Sequence, residues 1–280
     1  MISEDFRKEA RVKLSGKWGS AVVIILLYML FTWLIGFIRG MFDNTALGGL
    51  ISLCQTLISV PIGYGLVYSF IKLFNKEDVS PFDFISSGFK NFGRSWGLAL
   101  YTFLKLLLPM ILMIVALFLI FGGFFGSIFP VIQQNPNVAD INQVISTIDT
   151  SSLNTSALSV SLVGFILLIV SSVLMTTWSY YYKIAYIVAI DEPDLTSKEA
   201  VNKSKEYMIG NRWKLFCLEF SFIGWAILAT LTFGIGFLWL VPYMQIAEIA
   251  FARFVCGKKE EQSPIDNTAE DSVVLDSDNN

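Results

Sequence analysis

The sequence predicts an all-α polytopic membrane protein in which six transmembrane helices form three hairpins, each preceded by a cytoplasmic interfacial amphipathic helix. Composition is the first observation behind this prediction, because 54% of the 280 residues are hydrophobic and only 15% are charged. A soluble domain needs about 25% charged residues to cover its surface. The apolar residues are gathered in long stretches separated by short basic segments, and a motif of glycine, cation and tryptophan recurs three times.

The predicted spans are apolar stretches of about 20 residues or more, the length that crosses ~30 Å of hydrocarbon as a helix. The last apolar stretch, 215–252, contains no lysine or arginine and is too long for a single span. Thr232, Gly234 and Gly236 supply a turn near its middle, so we expect two helices there. The six predicted spans are 18–38, 46–74, 96–121, 158–190, 213–231 and 235–254.

Basic residues concentrate in the cytoplasmic segments of membrane proteins, and their positions here predict the orientation. With six spans, all of the lysines and arginines except Arg39 and Lys105 fall on one side. We therefore expect both termini in the cytoplasm and residues 1–257 as a single transmembrane domain. The segment 122–157, which has no lysine or arginine, is expected as an outer loop, and the acidic segment 258–280 as a disordered cytoplasmic tail.

A threefold pattern marks the start of each odd-numbered span. Each copy combines a glycine, a cation and a tryptophan and follows an amphipathic stretch, in the first of which Phe6, Ala10 and Leu14 share a face. A helix of this kind lies in the headgroup layer with its cations near anionic lipid, and tryptophan anchors at the same depth. A true repeat and the ordinary composition of a membrane boundary both remain open. The expected interfacial anchors are Lys17, Trp18, Arg94, Trp96, Arg212 and Trp213.

Several of these residues belong to longer motifs at the two ends of the chain. The motifs are Ala10-Arg11, Gly16-Lys17-Trp18, Gly210-Asn211-Arg212-Trp213-Lys214-Leu215-Phe216, Leu218-Glu219-Phe220-Ser221-Phe222-Ile223-Gly224-Trp225, Gly234-Ile235-Gly236-Phe237-Leu238-Trp239 and Pro242-Tyr243. In these motifs the chain resembles the DUF975 family of integral membrane proteins, which occur mostly in Firmicutes. The resemblance implies a multi-pass protein of the bacterial cell (inner) membrane. It supplies no established activity and no catalytic residues.

Four ionisable residues fall inside or at the end of predicted spans, where such groups often mark a functional site. They are Lys105, Lys183, Glu219 and Glu248. The two carboxylates lie at similar separations on either side of Gly234, so a hairpin turning there places them at the same depth. One interpretation is a polar cavity facing the cytoplasm that binds a charged headgroup or couples transport to protons. The other is structural, with pairing between helices and lysines that reach the interface, and both remain open.

The residue types exclude several kinds of function. The chain has no histidine, which removes histidine-dependent triads and histidine zinc sites. Cys54, Cys217 and Cys256 form no CxxC pair, and no P-loop or nucleophile-elbow motif is present. We therefore expect no enzymatic activity, no cofactor and no metal site. The basic residues cluster at membrane boundaries and form no surface of the kind that binds nucleic acid.

Two functions remain open at this point. The first is a non-enzymatic integral membrane protein that binds or organises the inner leaflet or a membrane-protein partner, with anionic inner-leaflet headgroups as expected ligands. The three cationic segments favour it. The alternative is a small transporter or lipid-handling protein with a cytoplasm-facing polar cavity. Charges within the spans favour the alternative, and Pro61 and Pro242 are potential helix breaks that a transport site would use.

Overall fold

The computed structural model describes residues 3–42, 45–134 and 155–257, and the regular secondary structure of these residues is helical. In chain order the helices are α1 (Ser3–Leu14), α2 (Trp18–Met41), α3 (Ala46–Phe74), α4 (Asp83–Lys90), α5 (Phe92–Gln134), α6 (Thr155–Tyr182), α7 (Ala185–Asp191), α8 (Ser197–Met208), α9 (Arg212–Phe220), α10 (Ile223–Leu231) and α11 (Phe237–Val255).

Six helical segments in the described residues are long and apolar enough to cross a membrane. They are Trp18–Met41, Ala46–Phe74, Phe92–Gly126, Ser159–Asp191, Arg212–Leu231 and Phe237–Val255. Each coincides with a predicted span, so the prediction of a polytopic, all-helical protein with six spans is confirmed in length and composition. Large apolar side chains on these helices are exposed, among them Leu30 at 53%, Phe118 at 77% and Leu162 at 66%. Apolar surface of this extent is typical of a protein that contacts acyl chains.

Helix α5 ends later than the sequence predicts. It has 43 residues, which corresponds to a length of roughly 65 Å. The predicted outer loop beginning at 122 is therefore wrong for 122–134, which are helical, and α6 begins at Thr155. Glycine costs a helix only about 1 kcal/mol relative to alanine, and apolar surroundings favour a backbone whose hydrogen bonds are satisfied internally. The rest of the predicted loop, 135–154, and the predicted tail, 258–280, lie outside the described residues.

Two predicted spans contain short interruptions. Between α6 and α7 the helix is interrupted at Lys183 and Ile184, and the hydroxyl of Ser204 donates to the carbonyl oxygen of Tyr181 at 2.9 Å. This hydrogen bond gives the carbonyl a partner beside the interruption. Between α9 and α10 the hydroxyl of Ser221 donates to the carbonyl oxygen of Leu218 at 2.6 Å. Short polar side chains of this type compete with helical hydrogen bonds.

The predicted turn in the last apolar stretch is present. Helix α10 ends at Leu231 and α11 begins at Phe237. Gly234 has a φ of 87°, which glycine adopts without a steric penalty, and its N–H donates to the carbonyl oxygen of Ala229 at 3.1 Å. The predicted breaks at the prolines do not occur, because α3 continues through Pro61 and α11 continues through Pro242.

The chain divides into two units. The first comprises 1–41, 67–83 and 213–280, and the second comprises 42–66 and 84–212. In the first unit α1 packs on α11, where the ring of Phe6 meets the rings of Phe251 and Phe254 edge to face at 5.5 Å each. Phe6, Ala10 and Leu14 are all buried. The face that the sequence assigns to the headgroup layer is therefore covered by protein.

Within the second unit α5 packs along α6, and α8 contacts α5, α6 and α7. Glycines allow two of the close approaches. A Cβ atom on Gly164 of α6 would lie 2.9 Å from the Cβ atom of Leu119 on α5. A Cβ atom on Gly65 of α3 would lie only 1.8 Å from the carbonyl oxygen of Phe84 on α4. These helices approach each other at the distance of backbone contact, so α4 is held against α3.

Candidate functional site

Lys17, a predicted interfacial anchor, contacts the segment that follows α3. Its Nζ atom donates to Oδ1 of Asp78 at 2.8 Å and to the carbonyl oxygen of Glu77 at 3.4 Å. The hydrogen bond and the positive charge of Lys17 lower the pKa of the Asp78 carboxyl from its ordinary value. The turn before α2 is therefore tied to the end of α3 by an exposed ion pair.

Arg94 makes the corresponding contact at the start of α5. Its guanidinium donates to the carbonyl oxygens of Pro193 at 2.7 Å, Ala189 at 2.8 Å and Glu192 at 3.0 Å. These carbonyls lie at the C-terminal end of α7, where a cation is favoured by the unpaired carbonyl groups and the helix dipole. Two of the three predicted cationic anchors thus bind the segment that follows an even-numbered span.

The third cation and its tryptophan behave differently. The Arg212 guanidinium lies over the ring of Tyr181 at 4.2 Å from the centroid, which is a cation–π contact. Trp213 is 73% exposed and stacks on Phe216 with 5.0 Å between ring centroids. Among the predicted anchors, Trp213 therefore has the exposure that a side chain inserted in a headgroup layer requires.

The other two tryptophans have protein contacts. Trp18 is half-buried, and its ring centroid lies 6.4 Å from that of Tyr243. The Nε1 atom of Trp96 donates to the carbonyl oxygen of Leu57 at 3.2 Å. The placement of all six anchors at a membrane interface stays a prediction.

The four charged residues predicted from the spans lie in different units. Lys105 and Lys183 are exposed and belong to the second unit, while Glu219 and Glu248 are half-buried and belong to the first. Lys183 stands at the interruption between α6 and α7. Lys183, Glu219 and Glu248 each have an interaction partner in the protein. The predicted ligand-binding role of the four residues stays a prediction.

Lys105 lines a cleft of about 260 Å³ between α5 and α8. A second lysine, Lys198 in the first turn of α8, lines the same cleft. No hydrogen bond or ion pair joins either ammonium group to another residue of the described chain. The remaining lining residues are Tyr101, Leu104, Val201 and Asn202. Two cations without a hydrogen bond or ion pair to the described residues line one small cleft, which is a candidate site for an anion and which we call the lysine cleft.

The start of α8 is held in place by a capping box. The hydroxyl of Thr196 accepts from the backbone N–H of Glu199, and the Glu199 carboxylate accepts from the backbone N–H of Thr196 at 2.9 Å. The hydrogen bond from the Thr196 backbone is the largest cause that lowers the pKa of the Glu199 carboxyl, and a hydrogen bond that the Thr196 hydroxyl donates to the carboxylate at 2.8 Å lowers it further. The hydroxyl of Ser197 donates to the carbonyl oxygen of Arg94 at 3.2 Å. Lys198 is thereby fixed between two anchored neighbours.

A second contact holds α8 against the segment that precedes it. Lys203 donates to the carboxylate of Glu192, and this hydrogen bond is the largest cause that raises the pKa of the Lys203 ammonium. Gly97 permits the approach of α8 to α5, because a Cβ atom there would lie 2.6 Å from Oγ of Ser197. The lysine cleft is therefore built on a fixed helix start.

Sequence reasoning identified Lys105 but missed Lys198 as a site residue. The sequence Thr196-Ser197-Lys198-Glu199 is a capping-box pattern, and it places a cation in the first helical turn, where the helix dipole disfavours one. A lysine in the first turn after a capping box is therefore unusual, and this position could have identified Lys198 as a site residue from the sequence. Within residues 3–42, 45–134 and 155–257, no three histidine, cysteine or acidic side chains are grouped as a metal site requires.

Comparison with known proteins places the chain in a family. Residues 1–259 match the profile of DUF975, which is described as a protein of unknown function. A search of curated proteins and a search of solved structures give no match. The profile covers more than nine-tenths of the chain and includes all six candidate spans. The chain therefore belongs to the DUF975 family.

Proposed function

We propose that the protein is a non-enzymatic membrane protein that binds anionic headgroups of the inner leaflet and so organises lipid around its cytoplasmic ends. In this proposal the protein lies in a bacterial inner membrane with both termini in the cytoplasm. Its six spans form three hairpins, each preceded by a short helix at the cytoplasmic interface. The observation that carries the proposal is the lysine cleft, with Lys105 on one side and Lys198 on the other.

The charges of the lysine cleft favour a phosphate group. Lys105 and Lys198 both line this small cleft, and an anion bound there would be attracted by both ammonium groups. The non-bridging oxygens of a phosphodiester accept charge-assisted hydrogen bonds, which are roughly twice as strong as neutral ones. Leu104 and Tyr101 on α5 supply adjacent apolar surface, against which the glycerol and the first methylene groups of a lipid would pack.

Exposed aromatic side chains near α4 support an interfacial position for that helix. Phe82, Phe89 and Phe92 are 60%, 46% and 42% exposed, whereas Phe84 on the opposite face is buried. One apolar face of this short helix packs on the protein. The second, aromatic face is exposed and can be buried in the bilayer. Lys90 at its end is exposed and is suited to contact anionic headgroups.

The experiment is lipid competition on the full-length protein, measured by native mass spectrometry after release from mixed micelles. Phosphatidylglycerol and phosphatidylcholine with identical acyl chains are offered in equal amounts. We expect the wild type to retain phosphatidylglycerol preferentially. In the Lys105→Gln/Lys198→Gln double variant, the ratio of retained phosphatidylglycerol to retained phosphatidylcholine should fall about tenfold, because the charge-assisted hydrogen bonds to the phosphate are lost.

The matched control is the Lys8→Gln/Lys76→Gln double variant. It removes the same net charge from two exposed lysines that do not line the cleft. If the control keeps its preference for phosphatidylglycerol, the loss seen in the Lys105→Gln/Lys198→Gln variant is due to the lysine cleft. An equal loss in both double variants, or equal retention of the two lipids by the wild type, would contradict the proposal.

The alternative function, a small transporter or lipid-handling protein with a cytoplasm-facing polar cavity, stays a prediction. Solute flux in proteoliposomes tests it. A membrane-protein partner in place of lipid would be seen as stoichiometric co-purification.

A further inference from the structure

A second cleft lies wholly within the first unit. It has a volume of about 370 Å³ and is formed by residues of α1, α2, α10, α11 and the turn that joins α10 to α11. Its walls include the aromatic side chains of Trp18, Trp225, Trp239 and Tyr243, and its one charged lining residue is Arg11. We call it the tryptophan cleft. Because it shares no residue with the lysine cleft, it is a separate feature.

The tryptophan cleft has a polar end and an apolar end. At the polar end, the Tyr243 hydroxyl donates to the carbonyl oxygen of Arg7 at 3.2 Å. The charges of Arg7 and Arg11 both act on this hydroxyl. At the other end the cleft reaches Gly236, the residue before α11, which lies seven residues before Tyr243, or about 10 Å along the helix axis. A ligand that follows the cleft therefore needs an anionic head and an apolar tail.

The Arg11 guanidinium is not hydrogen-bonded within the described chain, in contrast to the guanidinium groups of two other arginines. Arg94 donates to three carbonyl oxygens, and Arg253 donates to the amide oxygen of Asn75 at 2.7 Å. No hydrogen bond or ion pair joins the Arg11 guanidinium to a described residue. The Nε atom of Arg7, one helical turn away, is buried without a hydrogen-bond partner. A guanidinium beside an apolar cleft is favoured once an anion accepts its hydrogen bonds.

The apolar end of the cleft is open beside membrane-spanning helices. Trp225 on α10 is 57% exposed and Trp239 on α11 is 52% exposed, and both helices belong to candidate spans. In a bilayer the medium in contact with such surfaces is the acyl chains of lipids. Aromatic rings with one apolar and one polar side are enriched where chains meet headgroups.

We infer that the tryptophan cleft binds one anionic phospholipid. Its acyl chain lies between Trp225 and Trp239 towards Gly236, and its phosphate accepts hydrogen bonds from Arg11. This inference goes beyond the proposed function, which concerns headgroups at the lysine cleft. It assigns a stoichiometric lipid to a defined position among the spans.

Tryptophan fluorescence quenching tests the inference directly. The full-length protein is reconstituted in phosphatidylcholine nanodiscs that contain a minor fraction of phosphatidylglycerol, with bromine placed on the acyl chains of one lipid or the other. A bound brominated chain quenches the adjacent tryptophans. We expect brominated phosphatidylglycerol to quench more than brominated phosphatidylcholine at the same fraction. Trp225→Phe should lower this excess, with Trp239 left to report the rest, whereas Trp33→Phe, an exposed position on α2 that does not line the cleft, should leave it unchanged.

The headgroup contact is tested by Arg11→Gln. We expect the fraction of phosphatidylglycerol that gives half of the excess quenching to rise about tenfold, as the loss of one charge-assisted hydrogen bond predicts. Arg11→Lys keeps the charge and should retain most of the preference. Lys8→Gln is the matched control, because Lys8 lies on the same helix, pairs with Glu4 at 3.0 Å and does not line the cleft.

Three results would overturn the inference. The first is equal quenching by the two brominated lipids, which a cleft filled by a protein segment or by any acyl chain would give. The second is an equal effect of Arg11→Gln and Lys8→Gln. The third is loss of the excess quenching in the Lys105→Gln/Lys198→Gln variant, since the two clefts would then not be independent. If that variant instead keeps the excess but shows no change in lipid competition, the proposed function fails while the tryptophan cleft stands.

Discussion

The Nη2 atom of Arg94, at the start of α5, donates a hydrogen bond to the carbonyl oxygen of Ala189 near the end of α7 at 2.8 Å. The same guanidinium also binds the carbonyl oxygens of Glu192 and Pro193. One side chain therefore caps the C-terminal end of α7 and holds the segment that leads into α8. The position of Lys198 in the lysine cleft depends on this segment.

Replacement of Arg94 by glutamine should lower the stability of the protein in detergent. Hydrogen bonds to a charged group contribute about 1.5–3 kcal/mol each, and a neutral, shorter amide cannot reproduce the planar fork. We expect a loss of about 3 kcal/mol in the free energy of unfolding, measured by thermal or denaturant unfolding of the purified protein.

Arg94→Lys separates charge from geometry. Lysine keeps the positive charge at the end of α7 but cannot bind three carbonyls in one plane, so its stability should fall between those of the wild type and Arg94→Gln. Full stability of Arg94→Gln would contradict the capping role.

The close crossing of α3 and α4 predicts opposite effects at two neighbouring glycines. A Cβ atom on Gly65 would lie 1.8 Å from the carbonyl oxygen of Phe84, whereas one on Gly63 would have no atom within 4 Å. Gly65→Ala should therefore destabilise the protein by about 3 kcal/mol, the upper range for overpacking. Gly63→Ala should be neutral or slightly stabilising, since alanine is the better helix former.

Fluorescence-detected size exclusion after heating measures both glycine variants side by side. The pair controls for expression and for helix propensity, because the two positions lie on the same helix two residues apart. Equal melting temperatures for the two variants would show that α4 does not pack on α3 as described.

How far the sequence predicts this structure depends on whether an element is determined locally. The six spans follow from hydropathy alone, and the turn at Gly234 follows from local residue preferences. The end of α5 does not, because Gly122 and Gly126 do not terminate a helix whose surroundings are apolar. Beside the interruption at Lys183, the carbonyl oxygen of Tyr181 accepts a hydrogen bond from Ser204, which is 23 residues away in the sequence.

In the candidate site, too, features determined by the local sequence were predictable and contacts between distant residues were not. Lys105 was predicted because a cation within an apolar stretch is conspicuous in the sequence. The partners of Lys17 and Arg94 lie 61 and as many as 99 residues away, and residue spacing gives no indication of such contacts. Arg11 belongs to the Ala10-Arg11 motif, and nothing in the neighbouring sequence distinguishes an arginine that has a hydrogen-bond partner from one that has none.

The capping box of α8 predicts a dependence of stability on pH. Hydrogen bonds from the backbone N–H and the hydroxyl of Thr196 lower the pKa of the Glu199 carboxyl below its ordinary value of 4.5. A group whose pKa is lower in the folded state stabilises the protein above its ordinary pKa, and this contribution is lost as the pH falls through the folded pKa. The melting temperature of the wild type should therefore show an acid-dependent decrease to which Glu199 contributes.

Glu199→Gln is the matched control for this pH dependence. Glutamine also completes a capping box but does not titrate, so the difference in melting temperature between the wild type and Glu199→Gln should be present at neutral pH and shrink below pH 4.5. Thr196→Ala removes the cap at every pH and should cost about 1 kcal/mol. A constant difference between the wild type and Glu199→Gln from neutral to acidic pH would contradict the prediction.

The orientation of the spans predicts which helix ends are accessible from outside the cell. The ends of α3 and α5 are separated by one predicted crossing of the membrane, so Lys76 and Gln134 should lie on opposite sides. Single cysteines are placed at these two positions after the three native cysteines have been changed to serine. On intact cells, a membrane-impermeant maleimide should label Gln134→Cys but not Lys76→Cys. After permeabilisation both should react, which shows that Lys76→Cys is reactive and was shielded only by the membrane. Labelling of Lys76→Cys on intact cells would place Lys198, and with it the lysine cleft, on the outer face and remove the inner leaflet as the source of its ligand, because Lys198 follows the same distribution of basic residues as Lys76.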